Sequence, residues 1–152
     1  MRDPAREALY QALSEGDFDQ VLAAFDQDRS RVLRDLARLT YAPGDALCGQ
    51  AVAALRGLSE RRAAQDPEFF REVIRRRIWG MNEEGGNIDW SAPECVAAVI
   101  AGSPSHYREF VTVMFCAAAD EPIFADSLRA ALKLLKESDP SLLDDLPDTA
   151  RP

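Results

Sequence analysis

From Trp79 to Glu94 the chain reads Trp-Gly-Met-Asn-Glu-Glu-Gly-Gly-Asn-Ile-Asp-Trp-Ser-Ala-Pro-Glu, the stretch whose residue types best suit a site. Glu83, Glu84 and Asp89 supply carboxylates, Asn82 and Asn87 supply carboxamides, and Trp79 and Trp90 close the two ends. At its centre, Gly85-Gly86 can reach φ > 0 and let backbone amides approach a ligand closely. Binding residues concentrate on loops of this kind. Trp79, Asn82, Glu83, Glu84, Asn87, Asp89 and Trp90 are therefore the candidate binding residues. The chemistry they offer is recognition of a cation or of a basic protein surface. An EF-hand calcium loop is excluded: setting Gly86 and Ile88 at their required positions leaves Met81 and Ala92 where oxygen ligands are needed. In a purely structural alternative, Asn82 and Glu83 bond the amides of the next helix. Both tryptophans are expected to be buried between helices, each fixing one end of the loop.

A second group of residues could bind anions. Arg71, Arg75, Arg76 and Arg77 crowd the segment before the loop, and Arg31, Arg34 and Arg38 form a stripe further upstream. Guanidinium groups hold carboxylates or phosphates in bidentate fashion, which makes Arg71, Arg75 and Arg76 candidates for an anion or a partner. Internal pairing with Glu68, Glu72, Glu83 and Glu84 is the favoured alternative. Nucleophilic catalysis needs a nucleophile with a base in reach. The single histidine, His106, sits beside Ser103 and Ser105 at a helix start, where capping or surface exposure accounts for it. Glu83 and Glu84 are adjacent and solvated, so the chain is not expected to be an enzyme or to carry a cofactor. Cys48, Cys95 and Cys116 are far apart and lie in apolar helical patterns, without the paired spacing of a zinc site. They are expected to be buried and chemically quiet, and no metal is expected.

The formal net charge of −8 is unevenly distributed. Residues 1–82 hold 13 basic and 13 acidic side chains, whereas residues 83–152 hold 5 basic and 13 acidic ones. Neutralising phosphates requires a basic surface, so nucleic acid is not an expected partner of the loop. Binding through the arginine-rich helices is the weakest alternative. No apolar run approaches the roughly 20 residues that cross a bilayer. The opening Met1-Arg-Asp-Pro-Ala-Arg-Glu has no signal-peptide pattern. A cytoplasmic protein without a membrane partner is the expectation.

Helices must position these residues. Asp3-Pro4, Asp66-Pro67 and Ser103-Pro104 put a capping oxygen before a proline at the first helical position. Asp17 to Gln20 and Ser91 to Glu94 have capping-box spacing. Apolar residues then recur with helical period, as in Phe70, Ile74, Ile78 and Met81. The pattern predicts eight helices, over about 4–14, 17–26, 29–41, 46–64, 67–82, 92–101, 104–119 and 122–137. Short connections make neighbours antiparallel. The later pairs open near Asp28, Asp66 and Ser103, at intervals close to those of helical-pair solenoids; a compact bundle is the competing arrangement. Residues 1–137 form one domain in this reading, and 138–152 form an acidic tail that docks or frays.

The stretch 79–94 resembles a segment of bacterial HEAT-repeat-like proteins with the pattern W-x-M-N-[DE]-E-S-G-x-x-G-W-x-x-P-E. Trp79, Met81, Asn82, Glu83, Glu84, Gly86, Trp90, Pro93 and Glu94 match it, while Gly85 stands for the serine and Asp89 for the second glycine. The stretch from Tyr107 to Leu135, with Asp120-Glu121-Pro122 at its turn, is similar to that family's next helix pair. The resemblance implies an all-α fold, a short HEAT-like α-α superhelix of about four antiparallel helix pairs, and a non-catalytic role. The expected function is that of an interaction module whose 82–91 loop and neighbouring groove recognise a protein partner. The alternative is a small-ligand or metal-binding accessory protein that uses the acidic loop.

Overall fold

Four aspartates set where the first helical segments begin. The side chains of Asp3, Asp17, Asp28 and Asp66 accept hydrogen bonds from the backbone N–H groups of Arg6, Gln20, Arg31 and Phe69 at 3.2–3.3 Å. Each satisfies an amide that the first helical turn leaves unpaired, a contribution of about 1 kcal/mol. The computed structural model describes residues 2–41, 44–82 and 88–152. In it, α1 (Pro4–Glu15), α2 (Phe18–Gln27), α3 (Arg29–Tyr41), α4 (Cys48–Arg62) and α5 (Pro67–Met81) precede α6 (Ala92–Gly102). Then come α7 (Pro104–Tyr107), α8 (Phe110–Ala118) and α9 (Ala125–Ser138), with short 3-10 turns at Pro122–Phe124, Pro140–Leu143 and Asp148–Ala150. The described residues contain no strand, and none of their helices is long and apolar enough to cross a membrane.

The element expected over 104–119 is divided. Backbone angles at Arg108 and Glu109 stay helical, but Val111 N–H bonds the Arg108 carbonyl three residues back, tightening the turn. Tyr107 lies at the break. Its ring is buried and its hydroxyl donates to the Pro67 carbonyl at 2.8 Å, an anchor on α5 that the local pattern does not reveal. Two expected caps also work differently. Ser103 donates to the Ser59 carbonyl at 3.2 Å, and Ser91 makes no capping bond. The acidic end, 138–152, turns back on the protein and buries Leu142, Leu143 and Leu146 in the common core.

Helix α6 is apolar on every side. Of its residues Ala92 to Ala101, only Glu94 reaches intermediate exposure, the pattern of a helix enclosed by others. It packs against α4, α5, α8 and α9. Small side chains let α4 approach to backbone distance: a Cβ added to Gly102 would lie 2.4 Å from the Arg56 carbonyl oxygen.

Serines join the same layers. Ser59 donates to the Val99 carbonyl at 2.7 Å and Ser138 to the Ala101 carbonyl at 3.2 Å. These bonds lie at the C-terminal end of α6. At its N-terminal end, Glu94 N–H donates to Ser127 Oγ at 3.2 Å and Cys48 Sγ lies 3.8 Å from Ser91 Oγ. The chain therefore has two edges, and the N-terminal ends of α4, α6 and α9 share the second.

The close approach at Gly102 makes a direct test. Gly102→Ala should destabilise the fold by roughly 1–3 kcal/mol, because its β-carbon meets backbone that cannot swing aside. Gly49→Ala, on the open side of α4, should be neutral or stabilising by up to about 1 kcal/mol. Urea denaturation of both variants measures the contrast.

Candidate functional site

Helix α5 turns Phe70, Ile74, Arg77 and Met81 toward the interior. Arg77 is thus a guanidinium in an otherwise apolar row, only 8% exposed. A cation held there needs a counter-charge, and Asp89 provides it: Arg77 Nη1 donates to Asp89 Oδ2 at 2.9 Å. Asp89 itself is 3% exposed. Its β-carbon would stand 3.6 Å from a Cβ on Gly80, so the carboxylate folds back onto the end of α5. Its other oxygen, Oδ1, is buried with no hydrogen-bond partner among the described residues.

Burial pushes Asp89 above the ordinary carboxylate range, against the pull of Arg77 and weaker support from the Ser91 amide. Cys95, on the first turns of α6, faces the same polar pocket. Burial raises its thiol to about 11, although Arg77 opposes this and Thr40 offers a hydrogen bond. A neutral, fully enclosed thiol is a poor nucleophile. Among the described residues, no three His, Cys, Asp or Glu side chains come together as a metal site would require.

The sequence-predicted residues separate into three groups. Asp89 is not a solvent-facing charge; it is the buried partner of Arg77. Trp79 and Trp90 reverse the expectation of burial, at 76% and 39% exposed. Trp79 occupies the outer face of α5, roughly opposite Arg77, so the helix turns its ring toward solvent. Asn82 is exposed next to it, while Glu83, Glu84 and Asn87 lie outside the described residues.

The arginines pair mainly along their own helix. Arg71 contacts Glu68 and, at 3.7 Å, Glu109; Arg75 lies 3.7 Å from Glu68 and 3.9 Å from Glu72; Arg76 lies 3.6 Å from Glu72. Such surface pairs contribute little to stability, but they neutralise the charge that an anion would need. The cysteines also depart from expectation: Cys95 is buried, Cys48 is half-buried and Cys116 is exposed.

Sequence reasoning missed Arg77 as the organising residue, although a signal was present. It lies three residues after Ile74 and four before Met81, on the apolar stripe. It also missed the exposed apolar company of the tryptophans. The large exposed hydrophobic side chains are Tyr41, Trp79, Trp90, Val113 and Ile123. All but Val113 lie at helix ends near that edge: Tyr41 and Trp79 in the last turns of α3 and α5, Trp90 and Ile123 just before α6 and α9. The same edge carries Asp120 and Glu121, which have no ion-pair partner among the described residues, and Asp126, which pairs with Arg129 at 3.0 Å.

The buried pair yields a measurable outcome. Asp89→Ala leaves Arg77 charged and enclosed, and should cost roughly 3–5 kcal/mol in urea denaturation, most of it recovered in the double variant Arg77→Met/Asp89→Leu. Because the folded pKa of Asp89 is raised, the native state binds more protons than the unfolded one just above the ordinary aspartate value. Its contribution to stability therefore falls as pH rises through that acid window and is level above it. The corresponding difference in slope between wild type and Asp89→Asn should appear in denaturation curves taken across that window.

No family model matches the chain, and no curated protein or solved structure matches it either.

Proposed function

We propose that this protein is a non-catalytic, HEAT-like helical-repeat module that binds a protein partner along the edge bearing Trp79 and Trp90. The observation that carries this reading is the 76% exposure of Trp79. A tryptophan ring contributes on the order of 200 Å² of contact area when covered, and tryptophan is enriched among the residues that dominate binding energy at interfaces. Tyr41, Trp90 and Ile123 extend the apolar surface along the same edge. A single exposed apolar side chain is ordinary; several gathered at one edge indicate an interaction surface.

The superhelical part of the proposal has its own support. The second helices of successive pairs pack side by side, α2 on α4, α4 on α6 and α6 on α9, while α1 meets α3 and α5 meets α8 in the other row. Stacked pairs contacting only their neighbours give this order. Binding is favoured over catalysis because Cys95, the cysteine beside the buried ion pair, is enclosed and its thiol is held neutral.

Trp79→Ala should change stability by no more than about 0.5 kcal/mol, as expected for an exposed site, yet abolish capture of the partner. Affinity capture with wild type, Trp79→Ala, Trp90→Ala and a Val113→Ala control, each first checked by thermal denaturation, measures both effects. Loss of a specific partner in the tryptophan variants alone supports the proposal. Capture indifferent to both tryptophans, or a Trp79→Ala variant that unfolds, overturns it.

A further inference from the structure

The charge around the exposed tryptophans identifies the chemistry of what they bind. Among the described residues, the arginines nearest the edge are already engaged. Arg77 is buried against Asp89, Arg75 and Arg76 are held by Glu68 and Glu72, Arg38 lies 3.8 Å from Asp35, and Arg129 pairs with Asp126. The acids are not balanced in the same way. Asp120 and Glu121 lack an ion-pair partner among the described residues, while Asp126, though nearly fully exposed, is balanced by Arg129. The α8–α9 turn that carries them adjoins the Trp90 end of the loop, because Glu94 N–H on α6 donates to Ser127 Oγ on α9 at 3.2 Å. The edge therefore shows solvent two indole faces and a set of carboxylates in excess of the cations beside them.

We propose that the occupant of this edge is a lysine- and arginine-rich peptide segment of the partner, its cations set over Trp79 and Trp90 and neutralised by Asp120 and Glu121. This rests on the reading of the edge as a protein-binding surface and specifies the partner's chemistry. Indole is the aromatic ring best suited to attract a cation, and an unbalanced acidic rim raises the local concentration of basic segments while repelling acidic ones. A nucleic acid would meet the same carboxylates and be repelled. An apolar peptide would gain the tryptophans but leave the acids unused.

The two tryptophans are the only ones in the chain, so intrinsic fluorescence reports on this edge. The experiment titrates the full-length protein with a synthetic Lys/Arg-rich peptide and with analogues in which every basic residue is replaced by serine or by glutamate. The expected result is a saturable change in emission with the basic peptide alone, weakened by added salt. Affinity should fall about tenfold in Trp79→Ala, read by the remaining Trp90, and by a similar factor in the double variant Asp120→Asn/Glu121→Gln. Circular dichroism of each variant establishes that it is folded.

Equal binding of the serine analogue, or preferential binding of the glutamate analogue, overturns the proposal about charge while leaving the edge as a binding surface. Basic-peptide binding indifferent to both tryptophans reveals diffuse attraction to an acidic protein and overturns it as well. If no peptide perturbs the emission, the basic-segment proposal fails; the tryptophan-dependent capture experiment then decides the wider reading independently.

Discussion

A guanidinium cannot shed its proton inside a protein, and that constraint fixes where Asp89 lies ahead of α6. Arg77 lies on the buried face of that helix, so its charge must be met from within. Asp89 meets it from the far end of the connection to α6. The effective penalty for enclosing each ion is several kcal/mol, so one ion is strongly unfavourable without the other. Asp89 must therefore fold back over Gly80, and the chain then has only Trp90 and Ser91 before α6 begins. The site of helix entry is set by an electrostatic requirement and not by a capping bond, consistent with Ser91 making none.

The packing of the later helices depends on that entry point. Helix α6 has no outer face, so an error in its position would expose apolar surface on one side and force overlap on another. Its alanines and Gly102 let neighbouring backbones approach, but such close packing tolerates little displacement. The serines at its C-terminal end convert that fit into hydrogen bonds to backbone carbonyls. Beyond them, Arg62 grips Asp26 at 2.6 Å and Arg29 reaches Asp66 at 2.7 Å, pairs that join successive helical units across the surface. One edge of the protein is thus closed by paired charges.

The helices were legible in the sequence because their signals are local: an aspartate before the first turn, a proline behind it and apolar residues at helical spacing. The break at Tyr107 was not, because its cause is a hydrogen bond to Pro67, 40 residues away. The side-chain roles around the loop were not legible. Loop composition singled out 79–94, yet composition treats Asp89 and Glu84 alike and both tryptophans as core material. Facing direction separates them. Arg77 and Trp79 are two residues apart on a helix, about 200° around its axis, so burying one presents the other to water. Placing Arg77 on the apolar stripe would have turned Trp79 outward and called for a carboxylate partner from the sequence alone.

The same geometry explains why exposed tryptophans can persist without loosening the fold. Their ends of the chain are held from below: Arg77 anchors the Trp79 turn of α5, and Asp89 anchors the backbone immediately before Trp90. Neither indole is needed to fix the loop's ends, because the ion pair already does so. The tryptophans are therefore free to hold preset positions in solvent without the backbone beneath depending on them. Side-chain and loop ordering is among the principal costs of association, so under the proposed function the buried ion pair lowers the cost of covering these tryptophans.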